Sequence, residues 1–186
     1  EQDYIAYSSQ VFEQFKGIAT VKDISFIVEH NEEELPMMLD VTHFEKILTN
    51  ILSNAFKFTP QGGKVIARSG IVGDQVELRF YNSGSHFDNE DLRHLWERFY
   101  QGSAGSDSTG WGIGLNLVYE LVKMHHGDIN VKNIEPDGVE FTLHFPLYSA
   151  QPFVSDEEES GDLTILLVDD DTELAAYLTN QLKKDY

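Results

Sequence analysis

ILTNILSNAFKFTP, residues 47–60, is the stretch that decides the fold. From about Thr42 to Phe58, the apolar residues Phe44, Ile47, Leu48, Ile51, Leu52, Ala55 and Phe56 recur at i, i+3, i+4 and i+7. That spacing predicts one amphipathic helix. Pro60, Gly62 and Gly63 end it. At about 100° per residue, Asn54 lies about 40° from Asn50 and Lys57 about 20° from it on the other side, so the three share a stripe opposite the apolar one. Two amides and an ammonium on one face suit a magnesium ion and the phosphates it bridges, because amide oxygens fit a hard cation and the lysine neutralises charge. The same spacing also describes a solvated polar face.

Working outward, residues Ile5 to Ala19 read as a helix and Ile24 to Glu29 as a strand, followed by an acidic turn at Glu32–Glu34 and an extended piece from Pro36 to Asp40. On the other side, the alternating runs Lys64–Val72 and Gln75–Tyr81 flank Gly73 and Asp74, a hairpin signal. A helical stretch around Glu90 to Phe99 leads to a Gly/Ser-rich loop, Gly102 to Gly110. Then come an apolar helix from about Ile113 to His126 and strands near Asp128–Asn133 and Gly138–Pro146. This order predicts an α/β (α+β) two-layer sandwich, a mixed sheet with helices packed on one face.

The chain has 186 residues and a formal charge of -19 from 13 basic and 32 acidic side chains. Residues 1–150 hold 11 basic and 22 acidic groups, whereas residues 151–186 hold 2 and 10. Such a field excludes nucleic acid as a partner, and an anionic ligand needs local basic groups, a cation and backbone N–H groups. With no cysteine, a disulfide framework, a zinc knuckle and a thiol nucleophile are excluded. The longest apolar runs are far below the roughly 18 residues of a membrane span, and no targeting signal is expected. Residues 149–162, with Pro152 and Asp156 to Glu159, have the composition of an acidic linker. Beyond it, the apolar run Leu163 to Val168 ends in Asp169, Asp170 and Asp171. A helical pattern follows, as in the first strand and helix of a second α/β domain.

Three further segments carry chemistry. TGWGIGL, residues 109–115, opens a helix with Gly110, Gly112 and Gly114, where unpaired N–H groups suit a phosphate; a flexible loop with a glycine cap has the same pattern. FYNSGSHF, residues 80–87, runs a strand into a turn holding Asn82 and Gly84. LWERFYQG, residues 95–102, brackets Arg98 with aromatics, and Arg98 suits bidentate phosphate contact.

In this order and spacing, the four elements resemble the N, G1, F and G2 boxes of the ATP-binding catalytic domain of two-component sensor histidine kinases, in the superfamily that also holds gyrase, Hsp90 and MutL. The resemblance spans roughly residues 3–147. It implies magnesium at Asn54 beside Asn50, phosphate contact by Lys57 and Arg98, and Phe58 beside the nucleotide. It further implies a mobile lid built on Gly110, Gly112 and Gly114 and leading into Leu115, with Thr142 on the adenine side. The acidic residue and second glycine of the G1 box are here Asn82 and His86, while Gly84 is kept; an asparagine oxygen accepts from the adenine amino group with less charge assistance, which implies weakened affinity.

The resemblance also separates kinase from hydrolase. The gyrase-type relatives carry a water-activating glutamate four residues before the metal-binding asparagine; here that residue is Asn50, and an amide is no general base. None of the seven histidines is followed by an acidic residue, as the family's phosphoacceptor is, so the acceptor hairpin is expected on another segment. Residues 163–186 resemble the opening of a response-regulator receiver domain, with Asp169 and Asp170 as its magnesium-binding acids. The expectation is a kinase domain over 1–148, a linker over 149–162 and a truncated receiver over 163–186. It would present Mg-ATP to a histidine-bearing dimerisation domain of a homodimeric, membrane-anchored parent, with this part in the cytoplasm. A degenerate nucleotide-binding or interaction scaffold, or a gyrase/Hsp90-type ATPase switch, are the alternative readings.

Overall fold

The structure is a computed structural model and describes residues 2–38, 40–97 and 114–147. Among them, the elements in chain order are β1 (Gln2–Asp3), α1 (Tyr4–Lys22), β2 (Ser25–His30), β3 (Pro36–Met37), α2 (Val41–Phe58), β4 (Lys64–Val72), β5 (Gln75–Ser83), α3 (Asn89–His94), α4 (Gly114–Met124), β6 (Asp128–Ile134) and β7 (Gly138–Pro146). The main sheet runs β2-β4-β5-β7-β6, with β2 and β4 parallel and the other pairs antiparallel. The expected mixed sheet is therefore present. A second pairing, β1 with β3, was not expected; it ties the chain before α1 to the segment before α2.

The predicted apolar stripe of α2 is buried in full: Phe44, Ile47, Leu48, Ile51, Leu52, Ala55 and Phe56 face the sheet. At roughly 1.5–3 kcal/mol per large buried side chain, that face outweighs the exposed cap at Asp40, which accepts from the His43 N–H. Phe56 joins the layers, its ring stacked on Phe15 of α1 at 5.5 Å and edge-on to Phe26 of β2 at 5.2 Å. At the other end of α2, His125 Nε2 accepts from the Asp40 N–H at 3.3 Å, and His125 Nδ1 lies 2.8 Å from the Leu121 carbonyl, so the foot of α4 is fastened to the cap of α2.

Because strand side chains alternate, the sheet has two different faces. Val65, Leu78, Phe80, Asn82, Val139, Phe141 and Leu143 point toward the helices and are buried. The outer face carries ion pairs, Arg68 with Glu29 at 2.5 Å, Arg79 with Glu77 at 2.9 Å and Lys132 with Glu140 at 3.0 Å. Such partly exposed pairs each add about 0–1 kcal/mol, so the apolar face holds the fold.

Acid should loosen this fold in two stages. Burial holds the His30 imidazole below its ordinary value of 6.5, and its Nδ1 lies 2.7 Å from Ser69 Oγ. The unfolded chain therefore takes up that proton first: the contribution is complete above about pH 6.5 and is lost as pH falls through the lower folded value. The bond from Lys123 lowers Asp128 below its ordinary 3.8, and that contribution is lost only in stronger acid. Thermal melts should show a Tm that is level between about pH 7 and pH 9, lower at pH 5 and lower again at pH 3. A Tm that rises on acidification contradicts this.

Candidate nucleotide site

The stripe expected on α2 is present. Asn50 and Asn54 are half-buried and Lys57 is exposed, while Phe58 closes the helix at 44% exposure with Lys57 Nζ 5.1 Å from its ring centroid. Asn50 is fixed from two sides. Its Nδ2 donates to the Lys46 carbonyl at 2.7 Å, and a carbonyl only accepts, so the amide orientation is set. Its Oδ1 then lies 2.6 Å from where a β-carbon on Gly114 would stand. Only glycine fits that approach, and the contact places the start of α4 against the middle of α2.

The turn after β5 docks onto the end of α2. Gly84 has φ +74° and its N–H donates to the Asp137 carbonyl at 2.8 Å; a β-carbon there would stand 2.3 Å from Pro60 Cδ. Pro60, which ends α2, thus packs directly on the turn. Gly84→Ala is expected to lose about 1–2 kcal/mol from the left-handed backbone alone, and more from the overlap with Pro60. Urea unfolding measures this, and an unchanged midpoint contradicts it. His86 is not a left-handed residue, so its side chain costs the backbone nothing there. Its Nε2 lies 3.5 Å from Asn133 Nδ2.

Asn82, 4% exposed, sits on the helix-facing side of the sheet between Val65 and Val139 in register, and its Nδ2 donates to Ser85 Oγ at 2.7 Å. Thr142 is corrected by the same register. It is three residues from Val139, so it lies on the outer face, paired with Arg79 and Asn130, and is not brought to Asn82. Val139 holds the place beside Asn82 instead.

In α4, Leu115 is half-buried against the core, and Asn116 Nδ2 donates to the Trp96 carbonyl at 2.7 Å. Trp96 also meets Tyr119 at 5.6 Å and Phe141 at 6.4 Å, forming an aromatic wall beside α4. The sequence signal for Asn116 is an amide in the first turn of α4, flanked on both sides by leucines that pack on the core. Arg98, Gly110, Gly112, Asp169 and Asp170 lie outside the described residues.

No group of three or more His, Cys, Asp or Glu side chains among the described residues could cage a metal ion. The donor set at α2 is amide oxygen instead. That fits magnesium, which is held by one or two protein oxygens and completes its shell with water and substrate phosphates. Among the described residues no helix is long and apolar enough to cross a membrane.

Residues 39–149 match the family described as histidine kinase-, DNA gyrase B-, and HSP90-like ATPase. The chain is similar to the sensor protein EvgS of Escherichia coli, 31% identical over 180 residues, covering 90% of this chain and 15% of that protein. It is also similar to the sensor histidine kinase YvrG of Bacillus subtilis, 33% identical over 144 residues, 76% of this chain and 24% of that one. The chain thus spans less than a quarter of the length of these relatives. The catalytic domain of the histidine kinase ThkA superposes with a TM-score of 0.70 at 24% identity, covering 79% of this chain and 97% of that one.

Proposed function

Because this chain belongs to the family of histidine kinase-, DNA gyrase B- and HSP90-like ATPases, we propose that it is the ATP-binding catalytic domain of a hybrid sensor histidine kinase. It would present Mg-ATP for phosphoryl transfer to a histidine on a separate dimerisation domain. The observation that carries this reading is Asn50. Its amide is fixed between the Lys46 carbonyl and Gly114, at the place where a hydrolase of this superfamily holds its general base, and it has no proton-accepting group to offer water.

In this reading Asn54 would hold the magnesium. The bound ion supplies charge neutralisation on the phosphates. Lys57 and Arg98 contact the phosphates, the latter bidentately. The sequence of glycines Gly110, Gly112 and Gly114 leading into α4 would let N–H groups meet the phosphates, as a helix start favours an anion. Phe58 flanks the nucleotide, and Asn82, at the end of β5 before the turn shaped by Gly84, accepts from the base. Leu115 anchors the root of the lid in the core, as Asn116 does through Trp96.

The domain limits belong to the same proposal, with the kinase domain over 1–148, an acidic linker over 149–162 and the start of a receiver over 163–186. The DDD run supports the last, with Asp169 and Asp170 as its magnesium-binding acids. A homodimeric, membrane-anchored parent with this domain in the cytoplasm is likewise proposed.

The test uses ATP labelled at the γ-phosphate and the histidine-bearing domain of the parent supplied as a second chain. Label should move to that domain while phosphate release stays at background. Steady release of phosphate without transfer favours the ATPase switch and contradicts the kinase reading.

A further inference from the structure

Six polar or charged side chains are buried among the described residues, and Asn82 is the carboxamide among them. A carboxamide offers two donor hydrogens on Nδ2 and two acceptor sites on Oδ1. Asn82 spends one donor on Ser85 Oγ at 2.7 Å. Its strand neighbours in register are Val65 and Val139, whose side chains offer it no hydrogen bond. Burying such groups without partners is costly, yet among the described residues no fully enclosed side-chain polar atom lacks one. Oδ1 is therefore not fully enclosed, and its neighbours in register on either side are valines. Asn82 thus carries an acceptor on Oδ1 and, side by side with it, a second donor hydrogen on Nδ2 beyond the one given to Ser85.

That pair differs from a carboxylate in one decisive respect. A carboxylate only accepts, so it takes the 6-amino group of adenine and repels the 6-oxo group of guanine. A carboxamide matches both bases: Oδ1 to the adenine 6-amino group with Nδ2 to N1, or, after a half-turn of the amide, Nδ2 to the guanine 6-oxo group with Oδ1 to N1–H. The half-turn costs little only if the fixed partner tolerates it. Ser85 supplies a hydroxyl, which accepts from Nδ2 in one orientation and donates to Oδ1 in the other. Asn50 makes the contrast, since its carbonyl partner permits a single orientation.

We propose that Asn82 and Ser85 make this a purine site that accepts guanosine as well as adenosine triphosphates. The proposal rests on the reading of Asn82 as the base-contacting group and names a wider substrate class for it. Calorimetric titration with Mg-ATP and Mg-GTP tests it, using the whole chain, Asn82→Asp and Ser85→Ala, each checked for folding by its thermal melt.

The wild-type Kd values for the two nucleotides should lie within about tenfold of each other, whereas Asn82→Asp should widen the ratio by more than about tenfold through loss of GTP, because a site with a mismatched buried polar group rejects strongly. Ser85→Ala should weaken both nucleotides alike and leave the ratio unchanged. Wild-type binding of ATP with GTP more than tenfold weaker overturns the proposal and leaves the kinase reading standing. An unchanged ratio in Asn82→Asp, or a shifted one in Ser85→Ala, also overturns it. Binding of neither nucleotide removes the kinase reading itself, and this proposal with it.

Discussion

Asn54→Ala should abolish magnesium-dependent ATP binding while leaving the fold as stable as before, or slightly more so. A lost contact to a charged group is worth about 1.5–3 kcal/mol, which is roughly a 10- to 100-fold rise in Kd. Asn54 is half-buried on the polar stripe and contributes nothing to the apolar face that holds α2 to the sheet. Alanine is the stronger helix former by about half a kcal/mol, so Tm should hold or rise. Titration with and without magnesium separates the two effects. The magnesium-dependent part of the binding should disappear, and an Asn54→Ala protein with wild-type magnesium dependence would show that the ion is held elsewhere.

Phe56→Ala should do the opposite, harming the fold first and binding as a consequence. The ring is 2% exposed, stacked on Phe15 and edge-on to Phe26, so its removal opens a cavity where α1, α2 and β2 meet. Large aromatic truncations of this kind cost about 3–5 kcal/mol, a large share of the roughly 5–15 kcal/mol that stabilises a domain. The Phe56 carbonyl also accepts from Lys22 Nζ at 2.8 Å, so the last turn of α2 is tied to the end of α1 from two sides. Lys57 and Phe58 follow directly, and a loosened turn displaces both. Chemical denaturation should show the lost stability, and a loss below about 1 kcal/mol would mean that the site does not depend on this packing.

Much of the fold can be read from sequence where period and punctuation agree. In α2 seven apolar positions repeat with one period and Pro60 closes them, so the helix appears from Val41 to Phe58 against an expected start at Thr42. The hairpin follows from Gly73, which adopts φ +64° between two alternating runs. The pairing of β1 with β3 could not be read, because two residues show no period. Nor does any local pattern announce that β2 and β4 run parallel.

The site divides in the same way. The stripe of Asn50, Asn54 and Lys57 is a property of one helix and was legible. The place of Thr142 depends on how β5 and β7 are registered, and a match of residue types does not carry that information. Because Asn82 pairs with Val139, every residue an odd number of positions from Val139 faces away from it, and Thr142 is three away. A serine in a turn has many uses, so sequence does not mark Ser85; only its 2.7 Å bond to Asn82 shows which one applies here.

Binding of ATP with magnesium by this chain is the property on which the kinase reading depends. A calorimetric titration of the intact chain with ATP should show saturable binding at submillimolar nucleotide when magnesium is present and markedly weaker binding when it is chelated. No heat of binding at millimolar ATP with magnesium would contradict it, and would leave the domain as an interaction scaffold.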